Sequence, residues 1–247
     1  MSTKKTALIL GATSDIAKET AKELAAHEYH LILSARDPQK LTSFVEDLMV
    51  QYPLIRIDTL TLDIEDLANH QEFYDELSPK PDIVICAIGY LGSEVKAQTD
   101  ANENAQILGI NFTYLTPLLN IIANDFKARK SGIIVGIGSV AGDRGRQSNG
   151  HYGAAKAGFH AYLSALRNRM NRYGVSVITV KPGFIKTKMT TGLTAPKPLI
   201  GSPQQVAKDI YDAITTKKDI IYTPSRWKWI MGIIKRIPEG VFKKLSL

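Results

Sequence analysis

The stretch that decides the fold is LILGATSDIAKET, from Leu8 to Thr20. It begins as an apolar run, breaks at Gly11 and continues with the spacing of a helix. A strand, a glycine turn and a helix in this order are typical of a nucleotide-binding unit, because free N–H groups at a helix N-terminus bind phosphate. The motif is weak by itself, since such turns usually carry two or three glycines and this one has only Gly11.

Further apolar runs rich in Ile, Val and Leu follow along the chain: HLILSA, LIRIDTL, DIVICAIG, GIIVGIGS, VSVITVKPG and DIIYTP. Most are continuous rather than alternating, which indicates strands buried on both faces. Segments with helical spacing separate them, and this alternation predicts parallel strands joined by crossover helices. We therefore predict an α/β fold: a single doubly wound, Rossmann-like domain whose seven-stranded parallel sheet carries helices on both faces. Its ligand site is expected at the carboxyl ends of the strands.

The composition suits a domain of this kind. The chain has 247 residues, of which 44% are hydrophobic and 22% are charged. Cys86 is the single cysteine, so no internal disulfide can form, which fits a reducing compartment. The N-terminal sequence lacks the apolar region of a signal peptide, and no run approaches the roughly 20 apolar residues that cross a bilayer. We expect a cytoplasmic protein without a metal site.

The positive charge is concentrated in the C-terminal tail. Residues 226–247 carry a net charge of +5 out of a total of +7. A nucleic-acid partner would favour a more evenly spread basic surface, so we expect none. We divide the chain into a catalytic, dinucleotide-binding domain (1–225) and a basic extension (226–247).

The tail also has the pattern of an amphipathic helix that ends at Pro238. Its apolar positions are Trp227, Ile230, Met231 and Ile234, widened by Trp229, Ile233 and Ile237. Such a face more often packs on its own domain or on a second subunit. A basic helix with tryptophans also suits the anionic inner face of a membrane, as a peripheral contact.

Two charged residues bear on the choice of cofactor. Arg36 follows the second strand, where an acid would bind a ribose 2′-hydroxyl, and it can pair with a 2′-phosphate instead. This favours NADP(H), although NAD(H) stays open because Arg36 can equally be a solvated surface residue and Asp37 is adjacent. Asp63 follows the third strand and either approaches the adenine or caps the next helix.

The clearest chemical signal is SVAGDRGRQSNGHYGAAKAG, residues 139–158. Tyr152 and Lys156 are four residues apart, on one face of a predicted helix. An adjacent ammonium is expected to lower the pKa of the phenol, which makes Tyr152 a candidate general acid. Ser139, at the end of a strand, can hold the same substrate oxygen, and Asn111 lies on the preceding long helix.

These residues resemble the short-chain dehydrogenase/reductase family over almost the whole chain. Ser139, Tyr152 and Lys156 match its catalytic triad, Asn111 its fourth member, and KPGFIKT its Pro-Gly-x-x-x-Thr segment. The resemblance implies that Tyr152 donates a proton and Ser139 orients the carbonyl. It also implies that Lys156 binds the nicotinamide ribose and tunes Tyr152, that Asn111 supports a water leading to Lys156, and that the protein is a homodimer or homotetramer. The predicted cofactor-binding residues, besides Tyr152 and Lys156, are Gly11, Thr13, Ser14, Asp15, Ile16, Arg36, Asp63, Ile64, Ala87, Gly89, Pro182, Gly183, Ile185 and Thr187.

Some positions depart from the family pattern. Asp15 and Ala17 replace the second and third glycines of the cofactor turn, and CAIG stands where Asn-Asn-Ala-Gly is usual. SVAGDRGRQSN and the Trp-rich basic tail resemble reductases that act on a polyprenylphosphoryl keto-sugar such as decaprenylphosphoryl-2-keto-ribose. Arg144 and Arg146 can then pair with a substrate phosphate, or can be solvated loop residues.

We therefore predict an NADP(H)-dependent oxidoreductase that reduces a carbonyl to an alcohol. The expected substrate is a small or lipid-linked carbonyl compound, with a keto-sugar as the leading example. A reductase of acyl or small hydrophobic ketones is the alternative within enzymes. A regulatory protein that binds NADP without turnover is the alternative from another class, and the intact Ser139, Tyr152 and Lys156 argue against it. A sugar epimerase is disfavoured because little chain follows the seventh strand.

Overall fold

The computed structural model describes residues 4–192 and 196–245. The strands of its main sheet are β1 (Thr6–Leu10), β2 (His30–Ala35), β3 (Ile57–Thr61), β4 (Ile83–Cys86), β5 (Ile133–Ile137), β6 (Ser176–Pro182) and β9 (Ile220–Thr223). They pair in the order β3-β2-β1-β4-β5-β6-β9, and every pair is parallel. This confirms the predicted doubly wound, seven-stranded sheet. Two short strands, β7 (Phe184–Ile185) and β8 (Ile200–Gly201), pair separately.

Helices cover both faces of the sheet. They are α1 (Asp15–Ala26), α2 (Thr42–Gln51), α3 (His70–Asp75), α4 (Glu94–Ala97), α5 (Ala101–Leu108), α6 (Leu115–Arg129), α7 (Gly150–Asn171), α8 (Pro203–Thr216), α9 (Trp227–Ile234) and α10 (Glu239–Phe242). In β1, Ala7 and Ile9 enter the core beneath α1, α2 and α8, whereas Leu8 and Leu10 enter the core beneath α6 and α7. A strand buried on both sides needs apolar residues at every position, which explains the continuous run.

One helical run, Ala101–Arg129, is long and apolar enough to cross a membrane by length and composition alone. It comprises α5, a π-helical turn over Gly109–Thr113 and α6. Leu118, Ile122 and Phe126 of this run are fully buried in the core beside α7. The apolar character of the run is therefore explained by packing within the domain.

The C-terminal segment differs from the single amphipathic helix that the sequence predicts. Trp227 and Met231 of α9 are buried against Val140, but Trp229 and Ile233 are 76% and 68% exposed. The packed face is therefore narrower than predicted. Pro238 ends the first pattern and also occupies the N-cap position of α10, where its fixed φ is compatible with a helix start.

Candidate active site

A cleft with a volume of about 470 Å³ lies at the carboxyl ends of β1, β4, β5 and β6. All of the predicted cofactor-binding residues except Asp63 line it, together with Ser139 and Arg146. Asn111 lies just behind the lining, and Arg144 faces elsewhere. The topology brings these distant positions together because parallel strands end at the same edge of the sheet.

The glycine turn fits a closely approaching phosphate. Gly11 has φ +79°, and a Cβ there would lie only 2.9 Å from the Ile88 side chain, so a side chain is excluded. Ser14 caps α1 by accepting a hydrogen bond from Ala17 N at 3.1 Å. The N–H groups of Asp15 and Ile16 precede the first donor of the helical ladder, Lys18, and are therefore available to an anion.

The Asp15 carboxylate has a partner that the sequence does not reveal. It accepts a hydrogen bond from Lys188 N at 2.6 Å, across 173 residues of chain. Asp15 therefore joins the first turn of α1 to the segment that follows β7. This segment also lines the cleft through Thr187 and Met189. The acid that replaces a glycine thus connects two walls of the same cleft.

Arg36 lines the cleft with its side chain 68% exposed and lies 3.9 Å from the Glu65 carboxylate. The preceding Ser34 is buried, and its hydroxyl donates to Ile9 O. Arg36 is therefore an exposed cation at the end of β2 on the wall of the cleft, beside Glu65. Asp63 accepts a hydrogen bond from Glu65 N at 3.0 Å, as the capping interpretation expects, and the adjacent Ile64 faces the cleft.

Ser139, Tyr152 and Lys156 face the cleft together. Ser139 follows β5 and starts a short 3₁₀ turn by accepting from Ala141 N at 3.1 Å. Tyr152 and Lys156 lie one turn apart on α7, with the Lys156 ammonium 5.7 Å from the centre of the Tyr152 ring. Lys156 Nζ donates to Ile137 O at 3.2 Å, which holds the amine at the end of β5.

Burial dominates the titration of this pair. It raises the pKa of Tyr152 to about 12, against the opposing effect of a hydrogen bond with the Ser139 hydroxyl. Burial also lowers the pKa of Lys156 to about 8. The prediction that Lys156 lowers the pKa of Tyr152 below its ordinary value is therefore wrong, because desolvation penalises the charged form of each group.

Asn111 is fully buried in the π-helical turn between α5 and α6. Its amide donates to Ile107 O and Tyr90 O, at 2.8 Å and 2.6 Å, and accepts from Tyr90 N at 3.1 Å. A Cβ at Gly89 would lie 3.3 Å from the Asn111 oxygen and 3.7 Å from Lys156 Nζ. Asn111 and Lys156 therefore approach each other across this glycine. A π turn widens the helix locally and is frequent at functional sites.

The sequence does not predict the buried polar network that lies behind Ser139. His160 Nε2 accepts from Ser139 N at 3.3 Å, so its Nδ1 carries the hydrogen and faces Asp143 at 3.6 Å. Asp143 also accepts from Lys181 at 2.5 Å and from Tyr222 at 2.6 Å. Burial lowers the pKa of His160 to about 3, so the imidazole is neutral. Asp143 and Lys181 lie in the two sequence motifs that flank the site, which is the signal that points to them.

The two loop arginines have different surroundings. Arg144, predicted to face the substrate, instead donates to Ile234 O, Lys235 O and Ile237 O at 2.8–3.2 Å and pairs with Glu239 at 2.7 Å. It therefore satisfies the free carbonyls at the end of α9. Arg146 lines the cleft.

The whole chain is similar to known oxidoreductases. The family profile described as short chain dehydrogenase matches residues 5–198. An uncharacterised oxidoreductase of Mycobacterium tuberculosis is 30% identical over 241 residues, 96% of each chain. A 3-oxoacyl-(acyl-carrier-protein) reductase of Rickettsia felis is 30% identical over 193 residues, 77% of each chain. The solved structure of a short-chain dehydrogenase from Sphingobium yanoikuyae in complex with NADPH superposes with a TM-score of 0.82 at 24% identity, covering 95% of this chain and 97% of that one. The chain therefore belongs to the short-chain dehydrogenase family of oxidoreductases.

Proposed function

We propose that the protein is an NADP(H)-dependent reductase that converts a carbonyl to an alcohol. The observation that carries this proposal is the convergence of Ser139, Tyr152 and Lys156 on one cleft whose other end suits a dinucleotide. Bound NADPH supplies the hydride. Tyr152, with its pKa raised to about 12, keeps its proton at neutral pH and donates it from Oη to the carbonyl oxygen. Ser139 Oγ donates a hydrogen bond to the same oxygen, and Lys156 then returns a proton to Tyr152.

Arg36 and the glycine turn support the cofactor assignment. We assign the pyrophosphate to the first-turn N–H groups of α1 and the 2′-phosphate to Arg36, which leaves NAD(H) as the weaker cofactor. The relative solved with NADPH has the same fold and is consistent with this choice. Asn111 is proposed to hold a water that links Lys156 to solvent.

For the substrate we propose a keto-sugar, including one linked to a lipid phosphate. Arg146 in the cleft supports an acidic substrate of this kind. A reductase of acyl ketones is the second candidate, and the relative from Rickettsia felis favours it. The two candidates differ in their need for Arg146, since a neutral ketone has no partner for a guanidinium.

A screen of carbonyl compounds tests this function. Full-length protein is mixed with NADPH and with soluble keto-sugars, lipid-linked keto-sugars or acyl ketones, and loss of NADPH absorbance is followed. We expect NADPH to be consumed with at least one keto-sugar. Consumption with acyl ketones alone would favour the second candidate, and consumption with no carbonyl would contradict both.

We further propose that residues 226–247 form an extension that lies against an anionic membrane at the cytoplasmic face, in a homodimer or homotetramer. The exposed Trp229 and Ile233 support this, because they are flanked by Lys228 and Arg236. Full-length protein is expected to float with anionic liposomes and not with neutral ones. A Trp229→Ser, Ile233→Ser double variant should stay unbound, whereas equal flotation of the variant would contradict the proposal.

A further inference from the structure

We propose that Arg146 and Asn149 form a subsite that binds an anionic group of the substrate, a phosphate or carboxylate, next to a hydroxyl. The inference rests on the proposed carbonyl reduction, because it places the substrate in the same cleft. It defines the substrate class as acidic hydroxy-carbonyl compounds.

The Arg146 guanidinium is partly buried and lacks a strong hydrogen-bond acceptor in the part of the chain that the structure describes. Among residues 4–192 and 196–245, its Nε has no hydrogen-bond acceptor although the atom is inaccessible to solvent. Its Nη2 contacts Met231 Sδ at 3.5 Å, and a thioether is only a weak acceptor. Partial burial lowers the pKa of Arg146, and the nearby Asp143 opposes this effect. A buried cation without an acceptor is costly, and a bound anion would remove that cost.

No neighbouring acid in the described chain fills this role. Asp143 is the acid that acts on Arg146 electrostatically, but its carboxylate already accepts from Lys181 and Tyr222. Arg144, two residues before Arg146, is fully engaged by the C-terminal segment. The contrast between the two arginines indicates that Arg146 is available to bind a ligand.

Asn149 offers the complementary group. Its Oδ1 is buried without a hydrogen-bond donor in the part of the chain that the structure describes. The residue occupies the N-cap position of α7, yet its side chain makes no capping hydrogen bond. Asparagine at this position usually accepts from the first turn of the helix, so its free oxygen is unexpected. Asn149 lines the cleft and precedes Tyr152 by three residues, so a hydroxyl that its amide turned to meet would lie near the reacting carbonyl.

This subsite lies away from the proposed cofactor phosphates. Arg36 follows β2 and the glycine turn follows β1, whereas Arg146 belongs to the loop after β5. In the sheet order the end of β5 lies three strand spacings, about 14 Å, from the end of β2 and two spacings, about 10 Å, from the end of β1. An anion at Arg146 therefore belongs to the substrate and not to the 2′-phosphate or pyrophosphate.

Calorimetric binding to the full-length protein saturated with NADP⁺ tests the subsite without requiring turnover. The probes are ribulose 5-phosphate against ribulose, and farnesyl phosphate against farnesol, so that a sugar phosphate and a lipid phosphate are distinguished. We expect at least one phosphate to bind about tenfold more tightly than its alcohol, as one charge-assisted hydrogen bond would give.

Matched variants locate the effect. Arg146→Gln should abolish the preference for the phosphate, Arg146→Lys should retain part of it, and Arg172→Gln, which removes an exposed charge at the end of α7, should leave it unchanged. Asn149→Ala should weaken the binding of ribulose 5-phosphate and leave the binding of farnesyl phosphate unchanged, because only the sugar has hydroxyl donors. Unchanged affinity for NADP⁺ shows that each variant is folded.

Equal affinity for each phosphate and its alcohol, absence of binding by both phosphates, or an unchanged preference in Arg146→Gln would overturn the proposal. If the preference is present but no carbonyl is reduced, the subsite stands and the proposed reduction fails. The two claims are therefore separable.

Discussion

At the scale of single residues, the sequence predicts that the candidate catalytic side chains meet, but it does not predict their pKa values. Ser139, Tyr152 and Lys156 line the same cleft. Their meeting is predictable because the sequence pattern shows that one lies at a strand end and the other two on one helix face. The raised pKa of Tyr152 depends on desolvation by the folded cleft, which a sequence does not display. The role of His160 is also not predicted, because a histidine inside a helix gives no sign that it accepts a hydrogen bond from Ser139 N.

We propose that Arg36 sets the preference for NADPH over NADH. Arg36→Ala should raise the Kd for NADPH about tenfold and leave the Kd for NADH nearly unchanged, because the 2′-phosphate would lose a charge-assisted contact. Fluorescence titration with both cofactors measures this. Arg56→Ala is the matched control, since Arg56 precedes β3 and lies at the amino ends of the strands, away from the cleft. An equal loss of affinity for NADPH and NADH in Arg36→Ala would contradict the assignment.

At the scale of elements, the apolar runs predict all the strands of the main sheet, whereas several local features come from contacts distant in sequence. The amide of Asn111, in the π turn, hydrogen-bonds to Tyr90, which lies 21 residues earlier in the chain. The split face of α9 depends on which of its apolar residues meet Val140. Neither partner can be identified from helical periodicity alone.

The hydrogen bond between Asp15 and Lys188 N connects α1 to the segment after β7. Asp15→Ala should loosen that wall of the cleft and raise the rate of NADPH dissociation severalfold, measured by stopped-flow displacement. Asp15→Asn keeps an acceptor oxygen and should release NADPH at nearly the original rate. An Asp15→Ala variant with unchanged dissociation would show that this contact does not hold the cofactor.

At the scale of the whole molecule, the alternation of strands and helices predicts the sheet, its parallel pairing and the edge at which the site forms. The sequence predicts an apolar tail face that packs on a domain or a second subunit, but it does not identify the residues that α9 and Arg144 contact. These contacts join residues about 90 positions apart without a local signal. The buried network around Asp143 likewise joins the loop after β5, α7, β6 and β9.

This network makes the free energy of unfolding depend on pH. The folded pKa of His160 is about 3, below the ordinary 6.5, so the unfolded chain binds more protons and stability falls as pH decreases through this interval. The slope from this group is at most about 1.4 kcal/mol per pH unit. His160→Gln, whose amide oxygen can still accept from Ser139 N, should reduce this slope.

Urea unfolding of both proteins between about pH 6.5 and pH 5 measures the difference. Hydrogen bonds from Lys181 and Tyr222 hold the pKa of Asp143 below its usual range despite its burial, so part of the acid sensitivity remains in the variant. Identical slopes in the two proteins would refute the neutral, buried state of His160.

The central claim is that Tyr152 donates the proton in carbonyl reduction. The most direct measurement compares the wild-type protein with Tyr152→Phe in NADPH binding and in turnover of the best carbonyl found in the screen. We predict that the variant binds NADPH with the wild-type Kd and loses at least about 100-fold in kcat, the usual contribution of a general acid. A variant that turns over the carbonyl within about twofold of the wild-type rate would contradict the account.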